Sequence, residues 1–225
     1  MRGFYYIALL LLLMGCSNST EKRLASNPTI TAVFEQSEIK DLAVILDFFN
    51  DHICALNNAK GYQLFFEKMA ECEKTGSIDV EIPLQDQLKM YSRLSEPSFN
   101  QIWRIGQRWF HPFRVYADTI EVKELVFTGN YLKFLKAFGK DNSLIDLYLE
   151  YLESAGVISP ASTSIVMTKY KQFNVKDVRI QLFIAMHYLT LNYNEVEKKK
   201  LKRDPYVSWI GFRYNTLTKG DIELK

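Results

Sequence analysis

The residues able to do chemistry in this chain are few and far apart. There are three histidines, His52, His111 and His187, and three cysteines, Cys16, Cys54 and Cys72. No pair of histidines stands in an H-E-x-x-H spacing, and neither Cys54 nor Cys72 belongs to a C-x-x-C pair. The sequence therefore carries no metal-site signature and implies no cofactor. It also lacks a G-x-S-x-G elbow, a Gly-rich phosphate loop and a dinucleotide fingerprint. His187 lies within an apolar run, where a histidine is expected to be a buried, satisfied core residue. The other chemical feature is aromatic: Trp103, Trp109, Phe110, Phe113 and Tyr116 flank the break at His111-Pro112. Exposed on a loop, Trp103, Trp109, Phe110 and Phe113 would stack on sugar rings or anchor a partner protein; at helical spacing they would join the core.

One carboxylate has a context. Leu152-Glu153-Ser154 is followed by Ser159-Pro160-Ala161 and, later, by Tyr193-Asn194. This order partly resembles the lytic transglycosylases, helical enzymes that cleave cell-wall glycan and are often lipoproteins. The resemblance implies that Glu153 would be the catalytic acid and base, a role that needs a carboxyl buried at a helix end inside a sugar cleft. The chain departs from the pattern in two places. Ser164-Ile165-Val166-Met167 stands where Gly-Leu-Met-Gln is expected, and Tyr193 follows too soon. A binding or scaffolding module for a protein or glycan partner is therefore the first expectation, and a glycan-cleaving enzyme the second.

The N-terminus is more specific. Arg2 and the terminal amine precede the apolar run Phe4 to Met14, FYYIALLLLLM. As a helix this run is about 16 Å long, against a hydrocarbon core of about 30 Å, so it suits a secretory signal better than a membrane span. It ends in Leu13-Met14-Gly15-Cys16. That ending resembles the lipobox of bacterial lipoproteins. The resemblance implies that residues 1–15 are removed, that the Cys16 thiol receives a diacylglyceryl group, and that the new amine is acylated. Ser17, in place of Asp, implies the outer membrane under the sorting rule of enteric bacteria.

Removing 15 residues from 225 leaves enough chain for one domain. Hydrophobic residues make up 48% and aromatic residues 14%, enough for a substantial core, while 10 Gly and 6 Pro argue against a turn-rich β architecture. A net charge of +2 gives no global attraction to nucleic acid. The only charge cluster, Lys198-Lys199-Lys200-Leu201-Lys202-Arg203, would suit anionic lipid headgroups, but is first expected as a solvated C-terminal end of a helix, where cations complement the dipole. With Cys16 assigned to lipid, Cys54 and Cys72 remain. A hairpin turning near Asn57 to Gly61 would not set them opposite each other, which favours two buried thiols over a bridge.

The elements that would carry these residues are helical. Residues 16–36 are polar and read as a flexible tether, leaving 37–225 as a single domain. Ser37 is placed to cap a helix whose inward face is Ile39, Leu42, Leu46, Phe49 and Ile53. Tyr62, Phe65, Phe66, Met69 and Cys72 mark a second helix. Ile78, Val80 and Ile82 suggest an extended connector. Pro83 opens a helix with Leu84, Leu88, Tyr91 and Leu94 inward. Ser95-Glu96-Pro97 starts another, expected to run through Trp103 to Trp109. Helical stretches are expected at Val115 to Phe127 and at Tyr131 to Phe138. Another starts at Asn142 or Ser143 and stops at Gly156, and one runs from Ser159-Pro160 to about Phe173. Val175 to about Lys199, apolar on nearly every side at its centre, is expected to be the central helix. Residues 206–217 fit either helix or strand. The fold class that follows is all-α, an irregular multi-helix bundle or an array of helical hairpins, with at most one minor strand pair.

Overall fold

A computed structural model of the chain describes residues 19–53, 59–75, 82–109 and 119–202. The fold is predominantly α-helical, with one two-stranded antiparallel sheet among the described residues. In chain order the elements are α1 (Ser19–Ala25), α2 (Pro28–Thr31), α3 (Gln36–Ile53), α4 (Ala59–Thr75), α5 (Leu84–Tyr91) and α6 (Glu96–Ile102). They continue with β1 (Trp103–Trp109), β2 (Thr119–Leu125), α7 (Asn130–Gly139), α8 (Ser143–Ala155), α9 (Pro160–Thr168) and α10 (Val178–Lys202), with a 3-10 turn at Tyr170–Gln172 before α10.

The centre of the molecule is α10. Every residue from Ile180 to Thr190 is buried, including the polar Gln181, His187 and Thr190, as expected for a helix apolar on nearly every side. Around it pack α4, through Phe65 edge-on to Tyr188, α3, whose Phe49 lies edge-on to Phe65, and α8, through Tyr148 edge-on to Phe183. The inward faces of α3 and α4 are the expected ones: Ile39, Leu42, Leu46 and Phe49, then Tyr62, Phe65, Phe66 and Met69. In α5 the face is rotated. Gln87, Met90 and Tyr91 are buried and Leu88 is exposed, because Gln87 is drawn inward to bond α10.

Local signals set most boundaries. Asn142 accepts the amides of Leu144 and Ile145 at 3.2 Å, starting α8. Gly156 ends it at φ 68°, a left-handed cap that a side chain would strain. Ser159 and Ser162 form a reciprocal capping box at the start of α9, and Ser95 accepts the Ser98 amide to start α6. Gly129 is required by closeness. A Cβ there would lie 2.0 Å from the Gln101 carbonyl oxygen, so only glycine lets the chain cross the end of α6 and enter α7.

Three expectations differ from the structure. First, residues 19–36 are not a tether. They form α1 and α2, and Leu24, Ile30 and Phe34 enter the main core. Each such burial contributes about 1.5–3 kcal/mol, which polar composition alone conceals. Second, α6 stops at Ile102, and Trp103 to Trp109 is strand β1. Third, the later part of the stretch expected as a helix from Val115 to Phe127 is strand β2. The two pair in register, Trp103 with Leu125, Ile105 with Lys123 and Trp109 with Thr119. The signal segment, the connector at Ile78 and Val80 and residues 206–217 lie outside the described residues, as does Cys54; nothing described bears on a Cys54–Cys72 bridge.

Candidate functional site

The densest set of chemical groups is built where β2 crosses α10. Alternation along β2 sends Glu121, Lys123 and Leu125 to one face, together with their cross-strand partners Gln107, Ile105 and Trp103. Trp103 and Leu125 enter the main core at one end of this face. Lys123 is next in line and is only 4% exposed. Its ammonium lies over three aromatic rings, 4.1 Å from the centroid of Tyr193, 4.8 Å from Tyr91 and 5.1 Å from Phe99. These distances are within cation–π range.

Two residues of α10 fix this cage. Asn194 clamps the β2 backbone from both sides: its Oδ1 accepts the Lys123 amide at 2.8 Å, and its Nδ2 donates to the Lys123 carbonyl at 3.0 Å. Tyr193 donates its hydroxyl to Glu121 Oε1. Burial lowers the Lys123 amine from its ordinary value, while the carboxylates Glu121 and Glu197 pull it the other way. Burial, and then the bond and charge of Glu121, raise the Tyr193 phenol. On the α5 side, Gln87 Nε2 donates to Tyr91 Oη and to the Leu189 carbonyl, both at 2.6 Å, and Asn192 donates to Gln87 Oε1 at 2.7 Å. The polar groups beside the cage are thus committed to one another.

Charge and packing can be separated here by substitution. Lys123→Met preserves the stem and removes the charge, so urea unfolding is expected to show unchanged stability or a gain of about 1 kcal/mol. Lys123→Ala empties the cage and is expected to lose about 2–3 kcal/mol. Equal losses in both variants would show that the cation itself holds the rings together.

The residues singled out from the sequence do not converge. Trp103 does not line a surface: it is fully buried, and its Nε1 donates to Thr190 Oγ1 at 2.8 Å. Trp109 closes β1, while Phe110, Phe113, His111 and Cys16 lie outside the described residues. Glu153 is near the C-terminal end of α8, its side chain 43% exposed, and pairs with Lys136 Nζ at 2.7 Å. Tyr193 and Asn194 are engaged with β2 instead, so the Tyr-Asn pair has a packing role beside Lys123. His52 is exposed in the last turn of α3, its Nδ1 2.9 Å from the Phe48 carbonyl. His187 is completely buried, its Nδ1 3.0 Å from the Tyr148 hydroxyl.

Among the described residues no group of three His, Cys, Asp or Glu side chains is placed to hold a metal ion. No described helix is long and apolar enough to cross a membrane. Sequence spacing could not have found the cage, because Tyr91, Phe99, Lys123 and Tyr193 come from four separate elements. The one available signal was the period-2 pattern of TIEVKEL, which puts Glu121, Lys123 and Leu125 on one face. No protein-family model matches the chain, and the searches of curated proteins and of solved structures returned no match.

Proposed function

We propose that this chain is a lipoprotein of the bacterial cell envelope, held to the membrane by lipid on Cys16, whose helical body is a non-catalytic binding or scaffolding module. One observation carries the reading: the apolar run Phe4 to Met14 ends directly in Leu13-Met14-Gly15-Cys16. Each acyl methylene buried contributes about 0.8 kcal/mol, and a single chain anchors weakly, so the two or three chains of a mature lipoprotein make attachment stable. Ser17 after the modified cysteine favours the outer membrane. The partner class is a protein or a glycan, and nucleic acid is not expected at this site or at this net charge.

The binding reading is preferred over glycan cleavage because of the setting of Glu153. A general acid for a glycosidic bond needs burial in a cleft, whereas Glu153 is a partly exposed partner of Lys136. The direct experiment is Cys16→Ala in a bacterial host. The variant is expected to leave the membrane fraction or to remain unprocessed. Unchanged fractionation and unchanged mobility would overturn the lipoprotein reading. Purified wild-type protein is expected to leave peptidoglycan intact; release of glycan fragments that is abolished by Glu153→Gln would overturn the non-catalytic reading.

A further inference from the structure

We infer that the outer face of α1 and the neighbouring face of α3 lie against the lipid headgroups, with the body held flush on the membrane. This rests on the lipid attachment at Cys16 and specifies its geometry. Only Ser17 and Asn18 separate Cys16 from Ser19, the first residue of α1. Three residue steps reach at most about 11 Å, even fully extended. The headgroup layer on one side of a bilayer is itself about 5–7 Å thick. The start of α1 is therefore confined to the headgroup layer or its immediate edge.

That confinement keeps the whole body close to the membrane, because α1 is packed into it, and the charges on α1 and α3 select the face that meets the lipid. Leu24 belongs to the main core. Thr20 Oγ1 donates to Asp47 Oδ1 of α3 at 2.6 Å, and Arg23 Nη2 donates to Gln181 Oε1 of α10 at 2.9 Å. The anchor is thereby coupled to both α3 and the central helix. A flexible segment over residues 17–36 would instead have let the body wander about 25 Å from the lipid. Ser19, Lys22 and Ser26 share the exposed side of α1 and its end. Beside them, Gln36 of α3 donates to Glu21 at 3.1 Å, and Lys40 follows one turn later, exposed. The ammonium groups of Lys22 and Lys40 suit lipid phosphates. A partner must then approach the membrane plane and use the faces that α1 leaves open.

The test is photo-crosslinking of the full chain, purified from a bacterial host. It is placed in phosphatidylethanolamine–phosphatidylglycerol vesicles carrying a trace of lipid with a headgroup diazirine. Adducts mapped by mass spectrometry are expected to concentrate on peptides containing Ser19 to Arg23 and Gln36 to Lys40. Inserting about 20 Gly and Ser residues between Asn18 and Ser19 is expected to reduce these adducts several-fold, since such a linker frees the body. Adducts spread evenly over the body, or unaffected by the insertion, would overturn the placement. The mass of the N-terminal peptide is read in the same experiment. An unlipidated Cys16 overturns the anchor and the placement together, whereas a lipidated Cys16 with evenly spread adducts overturns the placement alone.

Discussion

Acidification from pH 7 to pH 4.5 is expected to cost the folded protein about 2.5 kcal/mol through His187 alone. The imidazole is fully buried in α10, with Tyr148, Phe183 and Tyr188 as its ring neighbours. Its Nδ1 meets the Tyr148 hydroxyl, and its Nε2 has no hydrogen-bond partner among the described residues. Burial pushes its pKa down to about 3. In the unfolded chain it returns to about 6.5. Between these values the unfolded state binds a proton that the folded state refuses. The stability is therefore complete above about pH 6.5 and falls as the pH drops toward 3, by about 1.4 kcal/mol per unit. Against a typical total of about 5–15 kcal/mol this is a large share. Carboxylates titrate over part of the same range, so the measurement is a difference. Urea midpoints of the wild type and of His187→Gln, which keeps a polar atom for Tyr148, are compared at several pH values. The advantage of the wild type is expected to shrink by about 2.5 kcal/mol between pH 7 and 4.5. Parallel curves would show that His187 is not held neutral by the fold.

His187 was legible in the sequence as a core histidine because the helix around it is apolar on nearly every side. The same reasoning placed α3 and α4 by their periodic faces, α8 by its face and its caps, and α10 by its apolar length, although α3 starts at Gln36, one residue before the expected cap Ser37. It failed where one stretch satisfies two periods. TIEVKEL offers Val122 and Leu125, three residues apart, to a helical reading, and Ile120 and Val122 against Glu121 and Lys123 to a strand. Which applies depends on β1 lying alongside and on Asn194 reaching the backbone from about 70 residues away. It failed again at residues 19–36, where Leu24, Ile30 and Phe34 reach one core from separate short elements and no single periodic face exists. The Lys123 cage was illegible for a related reason: it is a product of tertiary packing, and its members are ordinary where they stand in the chain.

Trp103→Ala is expected to lose about 3–5 kcal/mol, read as a lower urea midpoint with an unchanged slope. The indole was a candidate for surface binding from the sequence alone, and the structure gives it the opposite place. It is the first residue of β1, turned into the core at the point where α6 ends. It packs edge-on to Tyr91 with centroids 5.0 Å apart and tilted against Phe99 at 5.7 Å. Its Nε1 donates to Thr190, whose hydroxyl in turn donates to the Met186 carbonyl at 2.7 Å. Trp103→Phe retains most of the apolar area but removes the donor and part of the indole ring system. Thr190 keeps its own bond to the helix, so this variant is expected to lose about 1–2 kcal/mol, for the missing bond and the small cavity together. The distinction reaches the neighbouring site. Tyr91 and Phe99 are also walls of the Lys123 cage, and removing the indole takes away the support behind both rings. Water then reaches the Lys123 ammonium, and labelling of that amine by an acylating reagent is expected to rise in Trp103→Ala but not in Trp103→Phe. A midpoint shift of less than about 0.5 kcal/mol in Trp103→Ala, the size of a surface substitution, would return the indole to the exposed face and reopen its role in binding.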